Sequence, residues 1–502
     1  MKSFSHSRRN FLKTSAAVTA GAAFSPYIIS CRREPVPELM KRPFGKIDFE
    51  VTTFGLGGQA SIQWVPPDLD PAGIIVKAFR KGVNYFDTSN LYGPSQSNYG
   101  RAFRAIDLVP GRVGYNEPMR KSIFLTSKTH LRWGKGGSPR EGVGNRTNGV
   151  NPNHTLYDVK RSLSQVFGDG SGNYPEGAYL DMVLIHSLTN REEVDVLYEG
   201  IEETHPGMEN IGALAVLRDV RDGTNRTGLN PKNEKLIRHI GFSGHYSAPV
   251  MMDMIRRDQY GILDGMLVAI NSNDKLNMNM QNNVIQVARA KDMGVIGMKV
   301  FADGAMYTKE ANWTNTSDQV VRMVGTSELP SRPLIQYALT TPGVHTAIIG
   351  IGHIDDDSLK CQLTQNIEAA QITPDGLSES DRLHVEEMTG KVKDGKTNYF
   401  QVDEGGLSAP DKAAVSQKTE DGQRVVELSW NSPVAGPEPI EKYEIWRDNE
   451  KIADIGFEPQ TSWEPNSFID KPGDKAAHNY TVSVVDKVGN IMKTEDLLVK
   501  SV

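Results

Sequence analysis

The sequence predicts an α/β chain: a (β/α)8 TIM barrel followed by a small all-β immunoglobulin-like sandwich. Three observations carry that prediction. From about residue 40 to 375, short apolar runs alternate with amphipathic stretches, as a parallel barrel requires. No Gly-x-Gly-x-x-Gly opens the first helix after a strand, which weakens the runner-up, a doubly wound open sheet. After residue 400 the texture changes to short alternating strands separated by turn residues.

The strand candidates are 53–57, 83–87, 122–128, 180–186, 237–243, 266–270, 295–301 and 346–351. Helical candidates between them include 72–81, 156–167, 250–257, 283–293, 332–340 and 358–370. In the second of these, Leu156, Val159, Leu163 and Val166 recur at helical spacing. A short piece before the first strand, 42–51, is expected to form a hairpin plugging the barrel floor. Two segments exceed what barrel loops need, 132–154 and 187–235, and the second holds a helix of its own. Both should emerge at the C-terminal face, where barrel enzymes build their pockets. Trp133 and Trp313 are candidate flat walls there, and the Asn-rich stretch 271–283 offers either ligand contacts or a solvated loop.

Past the linker at Glu404-Gly405-Gly406 and Ala409-Pro410, single-face patterns recur at Val426/Leu428/Trp430, Tyr443/Ile445 and Tyr480/Val482/Val484. Asn431-Ser432-Pro433, Asp448-Asn449 and Gly489-Asn490 supply turns, and Trp430 is the candidate buried tryptophan. Leu428-Ser429-Trp430, 443–447 and 480–486 resemble a bacterial fibronectin type III domain. With no catalytic grouping in it, its default role is a spacer or a surface for a protein or glycan partner.

The N-terminus reads as an address. Arg8-Arg9, Phe11 and an Ala-rich run from Thr14 to Phe24 resemble a twin-arginine export signal. Ile28-Ile29-Ser30-Cys31 resembles a bacterial lipobox with Cys31 as the lipidated residue, the alternative being plain cleavage near Ala20-Gly21-Ala22. A lipid there would tether the chain to a membrane face without spanning it. The expected division is therefore signal segment 1–30, barrel 31–400 and sandwich 401–502, with a periplasmic or cell-envelope location. Composition adds exclusions. A net charge of −6 without a Lys/Arg stripe argues against nucleic acid, and Cys31 with Cys361 gives no disulfide framework.

Four motifs carry the chemistry: Phe86-Asp87-Thr88-Ser89, Leu91-Tyr92-Gly93, Thr126-Ser127-Lys128 and Leu184-Ile185-His186. Each follows an apolar run, where a strand ends. They supply a carboxylate, a phenol, an ammonium and an imidazole, which suits proton delivery to a carbonyl oxygen during hydride transfer. A tyrosine is a sluggish acid at neutral pH, and Lys128 beside Tyr92 is expected to lower its pKa while Asp87 holds the ammonium. His186 would orient the substrate oxygen.

These motifs, with 180–186, 238–243, Ile348-Ile349-Gly350 and Gln365-Asn366, resemble the aldo-keto reductase superfamily over roughly residues 40–375. The resemblance implies a catalytic tetrad of Asp87, Tyr92, Lys128 and His186, with Tyr92 as general acid. It also implies a nicotinamide cofactor: Ser243 on the carboxamide, Gly58 and Gly350 near the dinucleotide (Gly350 at its pyrophosphate), Asn366 on the adenine and Met298 against the nicotinamide. The substrate it implies is a small carbonyl compound or sugar-like alcohol. The sequence departs from the family pattern in three places. Gly244 and His245 follow Ser243 where Asn is usual, and Met298-Lys299 replaces the stacking aromatic. Asp355-Asp356-Asp357 stands where a base would meet a 2′-phosphate, so NADH is expected to bind at least as well as NADPH. The rival reading is a nucleotide-binding surface scaffold without turnover, its sandwich binding a partner or glycan.

Overall fold

The barrel strands are almost wholly buried runs, as a sheet enclosed by helices demands. The computed structural model describes residues 38–137, 139–149, 154–403 and 405–502. The strands are β1 (Phe54–Leu56), β2 (Tyr85–Asp87), β3 (Phe124–Thr129), β4 (Leu180–Leu188), β5 (Ile237–Gly244), β6 (Gly265–Ala269), β7 (Gly294–Met298) and β8 (Thr346–Ile349). They pair in parallel in chain order, and β8 closes against β1 through Ala347–Phe54 to Ile349–Leu56. The helices Pro71–Arg80, Ser95–Ala105, Thr155–Phe167, Ala213–Asp222, Ala248–Arg256, Val284–Ala290, Ser331–Leu339 and Gln362–Ala369 follow in turn. The first starts where it does because Asp70 accepts from Ala72 N and Pro71 takes the opening position, where no amide donor is needed.

The floor is sealed. Lys41–Phe44 and Ile47–Thr52 form an antiparallel hairpin, and Phe44 meets the rings of Tyr85 and Phe124 at 5.9 and 5.4 Å. Buried Arg42 donates to the carbonyls of Leu339, Val344 and Ile372, tying the hairpin to later elements. The C-terminal ends of the strands are left as the open mouth.

The two long loops pair with each other: Trp133–Lys135 lies antiparallel to Ile211–Gly212. The second loop carries two helices, Arg191–Leu197 and Ala213–Asp222, where the sequence promised one. Trp133 is 2% exposed within this pairing and forms no wall of the cleft. Its expected role is corrected: the short strand turns the indole into core.

The chain after residue 400 forms two antiparallel sheets. Its strands are β9 (Asp411–Glu420), β10 (Gln423–Asn431), β11 (Ile440–Arg447), β12 (Glu450–Gly456), β13 (Asn466–Asp470), β14 (His478–Asp486), β15 (Ile491–Lys493) and β16 (Leu497–Val499). Strands β9, β10 and β13 make one sheet and the other five make the second. Val426, Leu428 and Trp430 from one sheet share a core with Tyr443, Ile445, Tyr480, Val482 and Val484 from the other.

The asparagines of the stretch 271–283 are largely buried, and several bond to the second domain. Asn279 Nδ2 donates to Gly436 O at 2.7 Å, and Asn282 Nδ2 to Pro437 O at 2.9 Å. Asn283 both accepts from Ala435 N and donates to Ala435 O. These bonds fasten the second domain to the barrel. Residues 401–403 also stay with the barrel: Val402 N donates to Tyr246 O, and Met278 N to Val402 O. Among the described residues no helix is long and apolar enough to cross a membrane. The signal segment and Cys31 lie outside the described residues.

Candidate active site

Three of the expected residues sit at strand ends and one in the turn beyond β2. Asp87 ends β2, Lys128 lies near the end of β3, and His186 near the end of β4. Register places Lys128 opposite Leu184, so the residues rise together toward the mouth. Tyr92 follows in the turn where its N–H donates to Ser89 O at 3.1 Å. Lys128 Nζ reaches both carboxylate oxygens of Asp87 at 2.6 Å and the Thr88 carbonyl at 2.9 Å. The same ammonium lies 4.7 Å from the centroid of the Tyr92 ring. The His186 ring packs edge-on against Tyr92 at 5.6 Å, and its Nδ1 lies 3.3 Å from Ser89 Oγ. All four groups converge.

Their surroundings set their charge states. Burial pushes the Asp87 carboxyl up and the Lys128 ammonium down, and the short ion pair between them opposes both shifts. Burial, then the nearby carboxylates of Asp87 and Asp303, holds the Tyr92 phenol well above its usual range. This differs from the expected lowering. Lys128 spends its three donors on Asp87 and Thr88 and touches only the ring face, so desolvation wins. His186 is held well below the ordinary histidine range by burial, then by Lys128, so its imidazole is neutral at pH 7.

Arg132 keeps His186 in place. It is wholly buried, pairs with Glu193 at 3.1 Å, and donates to the carbonyls of His186 and Ser187 at 2.9 and 3.1 Å. Ser187 adopts φ 56°, a left-handed conformation that a non-glycine residue holds only when its neighbours enforce it.

An open cleft of about 940 Å³, counted out to its mouth, runs beside Tyr92. Asp87, Tyr92, Gly58, Gly350 and Met298 line it. A dinucleotide fits these residues. A Cβ at Gly58 would stand 2.3 Å from the Asp87 carbonyl, and one at Gly350 would meet Ala60 Cβ at 2.9 Å, so bare backbone forms that edge. Asn366 is 1% exposed, and neither its amide nitrogen nor its amide oxygen has a partner among the described residues. Such a pair of orphaned groups suits the donor and acceptor edge of adenine. Asn366 lies one helical turn beyond Gln362, which lines the cleft. Ser243 is placed differently: fully buried off the cleft, its Oγ accepts from Ser187 N at 2.8 Å.

Sequence reasoning named Trp313 as a candidate wall, and it does line the cleft, but the residues grouped around it were missed. Lys299, Asp303 and Trp313 line the cleft with Tyr92, and Tyr399 and Phe400 back the indole at 5.4 and 6.2 Å. His245, standing where the family pattern has a different residue, packs against Trp313 at 5.4 Å. Lys299 and Asp303 could have been found as residues just past a strand end. Tyr399 and Phe400 carry no such signal, because they arrive a hundred residues later along the chain. Near the cleft's other end the acidic run is less isolated than it reads: Lys77 Nζ lies 3.7 Å from Asp356, and Arg322 reaches His353 at 3.5 Å while bound to Asp68. Among the described residues no cluster of His, Cys, Asp or Glu is set to hold a metal.

A candidate aldo-keto reductase from Pseudomonas aeruginosa is 21% identical over 66% of this chain and 96% of its own, with a TM-score of 0.39. An aldo/keto reductase from Klebsiella pneumoniae, solved with NADP and acetate, is 14% identical over 68% of this chain and 92% of its own, with a TM-score of 0.41. Residues 5–25 match the twin-arginine translocation pathway signal sequence, which directs export of the chain. The aldo/keto reductase family model matches residues 53–384, from the first barrel strand to the helix beyond the last. A match over most of the chain, on a closed eight-stranded barrel, settles membership: the chain belongs to the aldo/keto reductase family.

Proposed function

We propose that this chain is an exported NAD(P)-dependent oxidoreductase that reduces an aldehyde, ketone or sugar carbonyl, or oxidises the matching alcohol. The observation that carries this reading is the buried Lys128–Asp87 pair beneath the face of Tyr92, with neutral His186 at its edge, beside a glycine-lined cleft. A bound nicotinamide supplies or accepts the hydride. Gly58 and Gly350 let it approach the backbone, Asn366 meets its adenine, and Met298 packs a thioether near its ring.

The chain's own residues manage the proton. In reduction, charge builds on the carbonyl oxygen and Tyr92 donates its hydroxyl proton there. Its raised pKa keeps that proton in place until the oxygen becomes basic. As the phenolate forms, the Lys128 ammonium under the ring stabilises it, and Asp87 keeps that ammonium oriented. His186, neutral and held by Arg132, has one ring N–H to donate to the same oxygen. A positioned acid of this kind contributes about 10²–10⁴-fold in rate.

The second domain is read as fibronectin type III-like, a spacer or partner-binding module, and Cys31 as the lipid attachment point at the cell envelope. Free dinucleotide is scarce outside the cytoplasm, so the cofactor is carried through export by the folded protein. The test is to release and weigh any nucleotide from purified mature protein, then assay a panel of aldehydes and sugars with NADH and NADPH. Bound nucleotide with carbonyl-dependent oxidation supports the reading. No dinucleotide binding and no turnover across the panel would overturn it.

A further inference from the structure

Lys299 is an ammonium the tetrad does not use. Its side chain is only 6% exposed, yet it lines the cleft. The closest carboxylate oxygen, Asp303 Oδ1, stands at 3.6 Å, beyond ordinary hydrogen-bond reach. The other oxygen of Asp303 is already claimed by Lys309 at 3.3 Å, Tyr399 Oη at 3.2 Å, and the amide and hydroxyl of Thr314. Two ammonium groups thus share one carboxylate, leaving a net positive charge in a desolvated wall. A buried cation without full pairing is costly, so something on the ligand side is expected to complete it.

The backbone is bent to keep this group there. Lys299, Ala302 and Asp303 adopt φ 60°, 49° and 58°, three left-handed non-glycine residues within five positions. Asn271 Nδ2 grips the Lys299 carbonyl at 2.9 Å, and Asn271 is itself paired with Asn398. Strain held by dedicated partners marks a functional placement more often than an accident of packing.

Position separates the dinucleotide from the substrate as source of the missing anion. Gly58 and Gly350 follow β1 and β8, one edge of the closed barrel. The Lys299 ammonium lies under Trp313, 4.5 Å from its centroid, and Trp313 reaches His245, which follows β5 directly across the barrel from β1. His245 Nδ1 in turn meets Ser187 Oγ, at the end of β4, at 3.3 Å. Lys299 itself follows β7, beside β8, and its ammonium reaches from there under Trp313, on the side of the cleft that Tyr92 shares with that indole.

We propose that Lys299 selects a carbonyl substrate carrying a carboxylate, a sugar acid rather than a neutral sugar, with the indole of Trp313 packing on its apolar face. This rests on the oxidoreductase reading above and names its substrate class. The test compares D-glucuronate with D-glucose, which differ at one terminal carbon, by calorimetric titration with and without dinucleotide. Tenfold or greater preference for glucuronate is expected, with Lys299→Met abolishing the preference and Lys299→Arg retaining it. Both variants should still bind NAD(P)H, the larger loss in Lys299→Met falling on glucuronate. Equal affinity of the wild-type protein for the two sugars would overturn the proposal, whether or not Lys299→Met folds. So would a variant whose sugar preference persists while NAD(P)H binding weakens, since that assigns the ammonium to the cofactor's phosphates. Failure to bind or oxidise any dinucleotide refutes the oxidoreductase reading instead, and is measured separately.

Discussion

At the scale of single residues, the buried ion pair makes the sharpest demands. Lys128 and Asp87 side chains are 1% and 2% exposed. Removing one partner strands the other in a dry site, which costs about 3–5 kcal/mol. Lys128→Met should therefore be destabilised by about that amount in urea unfolding. The double variant Lys128→Met/Asp87→Leu should regain most of the loss while remaining inactive. Recovery of turnover in the double variant would contradict the role given to the pair. The same scale bears on the choice of cofactor. The aspartates at 355–357 would repel a 2′-phosphate, but Lys77 and Arg322 stand close by, each already engaged with an acidic partner. NADH is expected to bind at least as tightly as NADPH, and titrations of the two check it; tenfold tighter NADPH would sink this inference.

At the scale of elements, three histidines near the mouth, His186 and His245 buried and His130 half-buried, make the fold sensitive to acid. His130 is pushed down to about 3, by burial and then by Arg132. His186 and His245 are held well below the ordinary range, by burial first. All three stay neutral when folded and take up protons near pH 6.5 when unfolded. Their contribution is thus complete above that pH and is lost as pH falls from 6.5 toward 3. For His130 alone this is about 2 kcal/mol at pH 5. Tm should fall steadily below pH 6.5, and His130→Asn should flatten that slope; an unchanged slope would reject the account. Elements also explain what the sequence could reveal. All eight barrel strands were legible because each is a compact apolar run, and four of them carry a polar residue at or near the end, Asp87, Lys128, His186 and Ser243. The helix Ser95–Ala105 was not, because its sequence is polar and broken by Gly100. That glycine serves packing: a Cβ there would lie 2.6 Å from the Gln165 carbonyl of the neighbouring helix. The tetrad was legible for the same reason as the strands. Of the opposite wall Trp313 was legible, but Tyr399 and Phe400 behind it were not, because only the closed fold brings them to the indole.

At the scale of the whole molecule, barrel and second domain fall in one compact unit. The seam is polar and specific. Asn283 satisfies both backbone groups of Ala435, so Asn283→Ala leaves a buried N–H and C=O unpaired, at a cost of about 1–3 kcal/mol. Wild-type protein should unfold in one calorimetric transition, and this variant in two separated ones. A single unshifted transition would mean the asparagines do not couple the domains. The seam also reaches the site. The segment carrying Tyr399 and Phe400 is pinned between the barrel loops, through Asn271–Asn398, Asn273–Thr397 and Val402–Tyr246, and the docked domain beyond it.

The central claim is that the hydroxyl of Tyr92 delivers the proton. Single-turnover hydride transfer, followed with deuterated cofactor in the wild-type protein and in Tyr92→Phe, tests it most directly. The account predicts a fall of about 10²–10⁴-fold in the transfer rate with dinucleotide affinity unchanged. A variant that transfers hydride at the wild-type rate would contradict it.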